Sequence, residues 1–301
     1  NKFNVELGGN IGTPVLNLKI KKNIFFVIEA SSFQLSHSRF IHPNYAILLN
    51  ITNDHIDWHG SIKSYIKSKL KIFYLQEKNN FALVNDNFKA IFKRKKFLSK
   101  LVSIRFKDYK KIKSKIENSY LKFSGNDENM NFVYTLAKKL KISDNSFIKS
   151  MNSFKGLSHR YEIFFKKHGV TFINDSKATS LQSSKFALAS NKNIYWIVGG
   201  LPKAKDKIDL NNVKNNIIKS YIIGKNISFF KKQLKNKVKF TIKKTLRNAV
   251  ISILKEIKLS NKIKNVILLS PGAASFDQYK NFENRGNEFK KLSKLYAKKF
   301  I

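Results

Sequence analysis

The 301-residue sequence contains no cysteine, and it has no long hydrophobic run. The missing cysteine excludes a disulfide scaffold, a thiol nucleophile and any cysteine-ligated zinc or iron–sulfur site. No apolar stretch approaches the roughly 18 to 20 residues that span a bilayer. The first ten residues also lack the apolar segment of a secretory signal. We therefore expect a cytoplasmic protein with no membrane partner.

Acidic residues are scarce, because 19 Asp and Glu stand against 59 Lys and Arg, and 59 − 19 gives a net charge of +40. Such a charge can mark a nucleic-acid-binding protein. The excess is almost all lysine, however, spread evenly among Asn, Ile and Phe, as strongly AT-rich coding DNA would produce. No RNA-recognition signature, zinc finger or long basic tail accompanies it. We therefore expect no specific nucleic-acid partner. Arginine stands at six positions: Arg39, Arg94, Arg105, Arg160, Arg247 and Arg285.

The pattern of apolar residues predicts an α/β protein of two domains. Hydrophobic residues make up 42% of the chain, enough for one or two cores. The lysine-rich segment 107–118 is expected to be an exposed excursion. From residue 156 onward, strands alternate with helices, which is typical of a mostly parallel sheet covered on both faces. Strands are expected at 23–29, 45–50, 81–85, 161–166, 170–174, 194–198, 221–223, 239–242 and 265–270. Helices are expected at 61–75, 126–142, 144–154, 181–189, 210–218, 227–234, 244–257 and 282–300.

Four segments carry residues that packing alone does not require. Gly8–Gly12 holds three glycines in five residues, which permits a close backbone approach but also fits an ordinary turn. Glu29 follows an apolar strand, at the end where parallel sheets bind ligands, although it could simply begin a solvated loop. The segment 53–59 holds two His and two Asp, which suit a divalent cation or phosphate chemistry. In the second half, 174–179 and 269–277 each follow a strand and enter a helix, an arrangement that binds anions.

These segments together resemble the Mur ligase family. The matching runs occur in the family's order, and those at 31–35 and 268–289 are most similar to its D-glutamate-adding branch. They are GGNIG at 8–12, EASSFQL at 29–35, NDHIDWH at 53–59, KSKLKIF at 67–73, GLSHRYE at 156–162, INDSKATS at 173–180 and LLSPGAASFDQYKNFENRGNEF at 268–289.

The resemblance implies an ATP-dependent amide ligase that adds D-glutamate to UDP-N-acetylmuramoyl-L-alanine in peptidoglycan synthesis. The alanine carboxylate would attack the γ-phosphate of ATP, and the amine of D-glutamate would then attack the acyl phosphate. Charge that develops on the oxygens would need Mg²⁺ and cationic side chains. Residues 1–156 would be the central ATP- and magnesium-binding domain, and residues 157–301 a Rossmann-like C-terminal ligase domain.

The resemblance also implies roles for individual residues. Glu29 and His55 would bind magnesium, and Lys69, carbamoylated by CO₂, would bind a second magnesium ion. His55, Lys69 and Lys177 would be catalytic. The positions expected to contact the nucleotide are Asn131, Arg160, Asp175 and Lys177. Those expected around D-glutamate are Thr179, Lys203, Ser275 and Phe282. Those expected to hold the muramoyl-alanine are Asn10 and Ser31.

Two departures from the family pattern qualify this expectation. The family's His-Asn-x-x-Asn reads Asp127-Glu128-Asn129-Met130-Asn131 in this chain, so only the last Asn matches. The G-x-x-G-K-[ST] phosphate loop is absent from the 301 residues, as is the domain that grips uridine diphosphate. We therefore expect the C-terminal two-thirds of a ligase, with an exposed sheet edge or apolar face, weak ATP binding and no turnover alone.

Two other functions stay open at this point. The chain could belong to another ligase of the same fold, of the Mur or folylpolyglutamate type. It could instead be a non-catalytic basic fragment that binds nucleic acid. A monomer that acts on small molecules is the expectation that best fits the resemblance.

Overall fold

The computed structural model describes residues 3–10, 12–51, 55–104, 106–122, 126–203, 206–259 and 264–301. The chain divides into two compact units, Asn1–Phe154 and Lys155–Ile301. The sequence predicts the domain boundary between residues 156 and 157. None of the helices in the described ranges is long and apolar enough to cross a membrane.

Unit 1 contains two parallel sheets among its described residues. The first sheet pairs β1 with β2, and the second has the order β3-β4-β5. The strands are β1 (Asn4–Gly9), β2 (Ile24–Glu29), β3 (Tyr45–Leu48), β4 (Phe81–Asn85) and β5 (Lys100–Ile104). The helices are α1 (Ser32–His37), α2 (Ile56–His59), α3 (Ile62–Leu70), α4 (Lys89–Arg94), α5 (Phe106–Lys113), α6 (Ser119–Lys122), α7 (Asp127–Lys139) and α8 (Asp144–Ser153).

The two sheets of unit 1 differ in burial. β4 is the central strand of its sheet, and Ala82, Leu83 and Val84 are buried on both of its faces. The β1–β2 sheet exposes apolar side chains instead, with Leu7 66% and Val27 51% exposed. This sheet therefore presents the exposed apolar surface that the sequence predicts.

Unit 2 is built on a six-stranded sheet with the order β10-β9-β8-β11-β7-β6. All neighbouring strands are parallel except β6, which pairs with β7 in antiparallel fashion. The strands are β6 (Glu162–Lys167), β7 (Val170–Asn174), β8 (Ile194–Gly199), β9 (Ile217–Ile223), β10 (Phe240–Lys244) and β11 (Asn265–Leu269). The helices are α9 (Leu181–Ala189), α10 (Ile227–Leu234), α11 (Leu246–Lys258) and α12 (Phe282–Phe300).

Helices cover both faces of the unit 2 sheet, as the alternation of strands and helices predicts. β8 is buried along its whole length, which is the pattern of a central parallel strand. α11 begins where the Thr245 hydroxyl accepts the Asn248 amide, and it buries one apolar stripe. That stripe consists of Leu246, Ala249, Val250, Ile253, Leu254 and Ile257.

The structure corrects two predicted elements. Residues 107–118 are not an exposed excursion, because α5 and the following turn bury Tyr109, Ile112 and Ile116. Their spacing places them on one side of the segment, and the lysines occupy the other. The helix expected at 210–218 is a turn, a single 3₁₀ turn at Lys214–Asn216 and the start of β9. Its asparagines favour a turn over a helix. Its buried apolar residues are spaced as in a helix, which is why the sequence predicts one.

Candidate active site

Asn10 and Glu29 meet at the carboxyl ends of β1 and β2. The Asn10 amide N–H donates to the Glu29 carbonyl at 2.7 Å, and its side-chain Nδ2 lies 3.4 Å from Glu29 Oε1. Gly9, at φ +116°, permits this approach, because a Cβ there would overlap the Glu29 carbonyl oxygen. Gly9 is therefore required by the pairing of two predicted site residues.

Ser31 begins α1 two residues after Glu29. Its hydroxyl accepts the Gln34 amide at 3.2 Å, while Gln34 Oε1 accepts the Ser31 amide at 2.9 Å. This reciprocal capping box satisfies amides at the start of the helix. It also fixes the direction in which the chain leaves Glu29.

His55 precedes α2 and takes a left-handed conformation, with φ +55°. Its ring lies 4.8 Å from that of Phe33 on α1. Phe33 also stacks on His59 at 5.7 Å, and His59 Nε2 lies 3.0 Å from Ser32 Oγ. Burial is the main cause that lowers the pKa of His59, and the neighbouring His55 lowers it further. These ring contacts join His55 to the helix that follows Glu29.

Lys69 lies on α3, with its Nζ 5.1 Å from the centre of the Tyr65 ring one turn earlier. The same Nζ donates to the Asn50 carbonyl at 2.8 Å, just beyond β3. The ammonium group is therefore held where the chain leaves the second sheet. A lysine becomes a metal ligand only after its charge is removed, as carbamoylation would do.

The donor groups of unit 1 suit a magnesium ion that also takes ligands from phosphate. Mg²⁺ is commonly bound through one or two protein ligands together with phosphate oxygens. Glu29 supplies an exposed carboxylate, and His55 supplies an imidazole on the adjoining element. In the described part of the chain, no three His, Asp or Glu side chains form a metal cluster by themselves.

The two acids that depart from the family pattern have partners within unit 1. Asp127 accepts a hydrogen bond from Lys113 at 2.7 Å, and Glu128 accepts one from Asn85 at 2.6 Å. Asn131 is 3% exposed on α7, and its Oδ1 has no hydrogen-bond partner among the described residues. The acids are thus engaged by neighbouring side chains, and the amide of Asn131 keeps an unsatisfied acceptor.

Asp175 follows β7 in unit 2 and is buried. Its Oδ2 accepts the Ser270 hydroxyl at 2.7 Å, and its Oδ1 accepts the Tyr161 amide at 3.0 Å. Burial raises the pKa of Asp175 to about 6, although these hydrogen bonds and the nearby Arg160 charge oppose the rise. Asp175 therefore connects the end of β7, the end of β11 and the segment before β6.

Lys177 and Phe282 meet next to this carboxylate. The Lys177 Nζ lies 5.6 Å from the centre of the Phe282 ring, and the His159 ring contacts the same phenyl at 6.0 Å. The Lys177 amide donates to the His159 carbonyl at 2.9 Å. The exposed Arg160 follows His159 in the chain. Lys177 and Arg160, which are both predicted to bind phosphate, are therefore linked through the backbone of His159.

The loops that carry Lys203 and Ser275 are also joined. Leu201 and Ala274 exchange two backbone hydrogen bonds of 2.9 Å. Ser275 is buried beyond this bridge, and Lys203 is exposed two residues after Leu201. Thr179 precedes Ser180, whose hydroxyl caps α9. The predicted D-glutamate positions thus follow β7, β8 and β11 at one edge of the sheet.

Sequence reasoning missed Arg285, which organises these loops. The side chain is 1% exposed, and burial lowers its pKa to about 10. Its Nε donates to Ser176 Oγ at 3.0 Å, and its Nη2 donates to the Ser176 and Ala273 carbonyls at 2.8 and 2.9 Å. A signal was available, because the chain uses arginine at six positions amid abundant lysine. At Arg285 the planar fork reaches Ser176 and Ala273 together, which a lysine could not do.

Comparison with known proteins gives a match over both units. The Mur ligase middle domain matches residues 7–147. The UDP-N-acetylmuramoylalanine–D-glutamate ligase of Rickettsia felis is 34% identical over 318 residues, covering 99% of this chain and 70% of the relative. The enzyme of the same name from Elusimicrobium minutum is 35% identical over 314 residues, covering 97% of this chain and 68% of the relative.

Solved structures share the fold. MurF ligase from Thermotoga maritima, in complex with ADP, aligns with a TM-score of 0.64 at 14% identity, covering 99% of this chain and 75% of that one. MurF from Acinetobacter baumannii aligns with a TM-score of 0.66 at 14% identity, covering 97% of this chain and 77% of that one. At this identity, the likeness concerns the fold alone.

Proposed function

The chain belongs to the Mur ligase family, in the branch that adds D-glutamate during peptidoglycan synthesis, and we propose which of its residues carry out that reaction. The alanine carboxylate of UDP-N-acetylmuramoyl-L-alanine attacks the γ-phosphorus of ATP, giving an acyl phosphate and ADP. The amine of D-glutamate then attacks the acyl carbon, and phosphate leaves as the amide forms. Because the reaction consumes ATP, we place it in the cytoplasm. We also propose that the enzyme is a monomer that acts on small molecules.

The observation that carries this proposal is the joined arrangement of Asp175, Lys177 and the turn around Arg160. Lys177 and Arg160 are fixed to each other through the His159 carbonyl. We assign both cations to the phosphates of ATP, where they stabilise the charge that develops during phosphoryl transfer. We assign Asp175 to the ribose side of the nucleotide, because its carboxylate ends the strand that precedes Lys177.

Unit 1 supplies the groups for the metal and for the substrate whose carboxylate accepts the phosphoryl group. Glu29 and His55 would hold Mg²⁺, and Lys69 in its carbamoylated form would hold a second ion. When bound, magnesium neutralises charge on the phosphate oxygens. Asn10 contacts Glu29, and Ser31 follows it by two residues; we assign both to the muramoyl-alanine. Asn131 offers an unsatisfied amide oxygen, which supports its assignment to the adenine or ribose.

D-glutamate brings two carboxylates, and unit 2 offers groups that suit them. Lys203 supplies a cation, and Thr179 and Ser275 supply hydroxyl and backbone donors after neighbouring strands. Phe282 begins α12 and packs against Lys177, which supports its assignment to the same side of the site. These assignments make residues 157–301 the amino-acid- and nucleotide-binding domain and residues 1–156 the ATP- and magnesium-binding domain.

The 301-residue chain by itself is proposed to bind ATP weakly and to turn over no substrate. It contains no G-x-x-G-K-[ST] loop, whose backbone amides and lysine would cradle the phosphates. Isothermal titration of Mg–ATP into this chain is expected to show no micromolar binding. Micromolar affinity would contradict this part of the proposal.

A chimera tests the full activity. The portion of the Rickettsia felis ligase that this chain does not match would be fused ahead of it. Phosphate release from ATP would be followed with UDP-N-acetylmuramoyl-L-alanine and each of D-glutamate, L-glutamate and L-lysine. Stimulation by D-glutamate alone is expected. Stimulation by another amino acid, or only with a folate acceptor, would indicate a different ligase of the family.

Matched variants make the test specific to the proposed site. Lys177→Ala in the chimera should abolish D-glutamate-dependent phosphate release, because it removes a cation from the transferred phosphate. Lys185→Ala is the control, since Lys185 lies on α9 and pairs with Asp209 at 3.7 Å at the surface. Equal activity in the two variants would remove Lys177 from the mechanism.

A further inference from the structure

Two residues in left-handed conformations flank Arg160. His159 has φ +63° and Tyr161 has φ +46°, and neither is glycine. Side chains of L-residues disfavour this region, so such strain persists only where the surroundings enforce it. Strained residues cluster where a fold must aim a group at a ligand. The segment 157–161, the Arg160 turn, must therefore be held in place by neighbouring groups.

A carboxylate holds the backbone amide of each strained residue. Glu162 Oε2 accepts the His159 amide at 3.0 Å, and Asp175 Oδ1 accepts the Tyr161 amide at 3.0 Å. Arg160 lies between these two anchored peptides with its own side chain exposed. Hydrogen bonds from backbone amides to carboxylates are among the stronger ones, since one partner is charged.

Glu162 is itself fixed by groups from two other elements. Asn174 Nδ2, at the end of β7, donates to Glu162 Oε2 at 3.1 Å. Lys290 Nζ, on α12, donates to Glu162 Oε1 at 3.0 Å. Burial by itself would raise the pKa of Glu162, but the His159 amide and Lys290 outweigh burial and lower it. The carboxylate is thus held ionised in one orientation at neutral pH.

We propose that Glu162 is a positioning residue that fixes Arg160 by holding the His159 amide in the Arg160 turn. The inference rests on the proposed function in one respect, because it takes Arg160 as a ligand of the nucleotide phosphates. Glu162 contacts the backbone that carries the cation. The same hydrogen bond sets the position of the His159 carbonyl, which accepts the Lys177 amide.

The first test needs no ligand. The backbone order parameter of Arg160, from ¹⁵N relaxation of the 301-residue chain, should be about 0.85, and it should fall below about 0.6 in Glu162→Ala. Glu256→Ala is the matched control, because Glu256 pairs with Lys219 at 2.9 Å at similar exposure in the same unit. An unchanged order parameter at Arg160 in Glu162→Ala would overturn the proposal.

The second test connects the turn to the nucleotide. ADP would be titrated into the same chain by NMR, which measures millimolar dissociation constants. Arg160→Ala and Glu162→Ala should each weaken binding by about tenfold, and the double variant should be no weaker than either. Additive losses would overturn the proposal, because they would mean that Glu162 acts independently of Arg160.

The outcomes separate this inference from the proposed function. If Arg160→Ala leaves ADP affinity unchanged, the nucleotide role of Arg160 fails, and the order parameter still decides whether Glu162 positions the turn. Should Glu162→Ala unfold unit 2, Glu162→Gln takes its place. The side-chain amide oxygen of this variant can still accept the His159 amide. The Arg160 turn should therefore stay more ordered than it would without this hydrogen bond. Loss of order in a folded Glu162→Gln equal to that expected for Ala would overturn the role of this hydrogen bond.

Discussion

Gly286 of α12 packs directly against the imidazole of His159, so that a Cβ on Gly286 would overlap His159 Nδ1. The same residue's carbonyl accepts a bond from Asn174 Nδ2 at 3.4 Å. The runs GLSHRYE and NFENRGNEF are therefore packed together, although the contacting residues His159 and Gly286 are 286 − 159 = 127 positions apart in the chain. This contact explains the glycine at the fifth position of the 19-residue helix α12.

Gly286→Ala is expected to destabilise unit 2. Crowding against the ring costs about 1 to 3 kcal/mol, while alanine recovers up to about 1 kcal/mol of helix propensity. The net loss should be about 1 to 2 kcal/mol. Urea unfolding in a Trp58→Phe background measures it, because the buried Trp196 then reports unit 2 alone. Asn287→Ala, exposed on the same helix, is the control, and a Gly286→Ala variant as stable as this control would refute the steric explanation.

Arg285→Lys is expected to cost about 2 to 4 kcal/mol of unfolding free energy. Lysine keeps the charge but cannot donate from one planar fork to Ser176 and Ala273. A buried cation would then lack partners, which is expensive. Arg247→Lys, exposed on α11, should change stability by no more than about 0.5 kcal/mol. Equal effects of the two substitutions in the same urea assay would show that the fork is dispensable.

Asp175 should make unit 2 less stable as pH rises from 4 to 6. Its pKa is about 6 in the folded state against 3.8 as the ordinary value. The folded state therefore binds more protons in this window, and stability is lost as pH rises through it. The difference of about 2 units corresponds to about 3 kcal/mol.

Asp175→Asn isolates this effect, because the amide can still accept from Tyr161 and can donate to Ser270. Its stability relative to the unmodified chain should increase by about 2 kcal/mol between pH 4 and pH 7, since the unfolded carboxyl is already partly ionised at pH 4. Urea unfolding at several pH values measures this difference, and a ¹³C titration of the Asp175 carboxyl checks the pKa. Parallel stability curves for the two proteins would contradict the assignment.

The local sequence pattern is enough to predict those helices and strands whose buried residues recur at a regular spacing. The sequence predicts a strand at 194–198 and a helix at 244–257, and β8 and α11 are present there. The segment 107–118 was misjudged because its lysines outnumber Tyr109, Ile112 and Ile116, although three well-spaced apolar residues suffice to bury one face. The sequence does not predict β5, because its strand character depends on its pairing with β4, which a local pattern does not show.

From the sequence, only those candidate-site residues that lie in recognisable motifs could be predicted. The motifs single out Asp175 and Lys177 as candidates, but they do not reveal the neighbouring contacts of Glu162, Ser270 and Arg285, because those contacts depend on distances that a single sequence does not encode. The metal ligands and the roles of individual substrate-contacting residues stay predictions, because they depend on bound groups. The scarcity of arginine was the one compositional clue that pointed to Arg285.

The magnesium site can be tested without turnover by using Mn²⁺ as a paramagnetic probe. Glu29→Gln removes the charge of an exposed carboxylate, and His55→Gln removes an imidazole held against Phe33. Each should weaken Mn²⁺ binding by at least about tenfold, because each removes a donor from a site with few protein ligands. Electron paramagnetic resonance of free Mn²⁺ gives the dissociation constant. Glu77→Gln, an exposed acid elsewhere in unit 1, controls for lost charge. If all three variants bind Mn²⁺ equally, the ion is attracted by charge alone, and Glu29 and His55 are not its ligands.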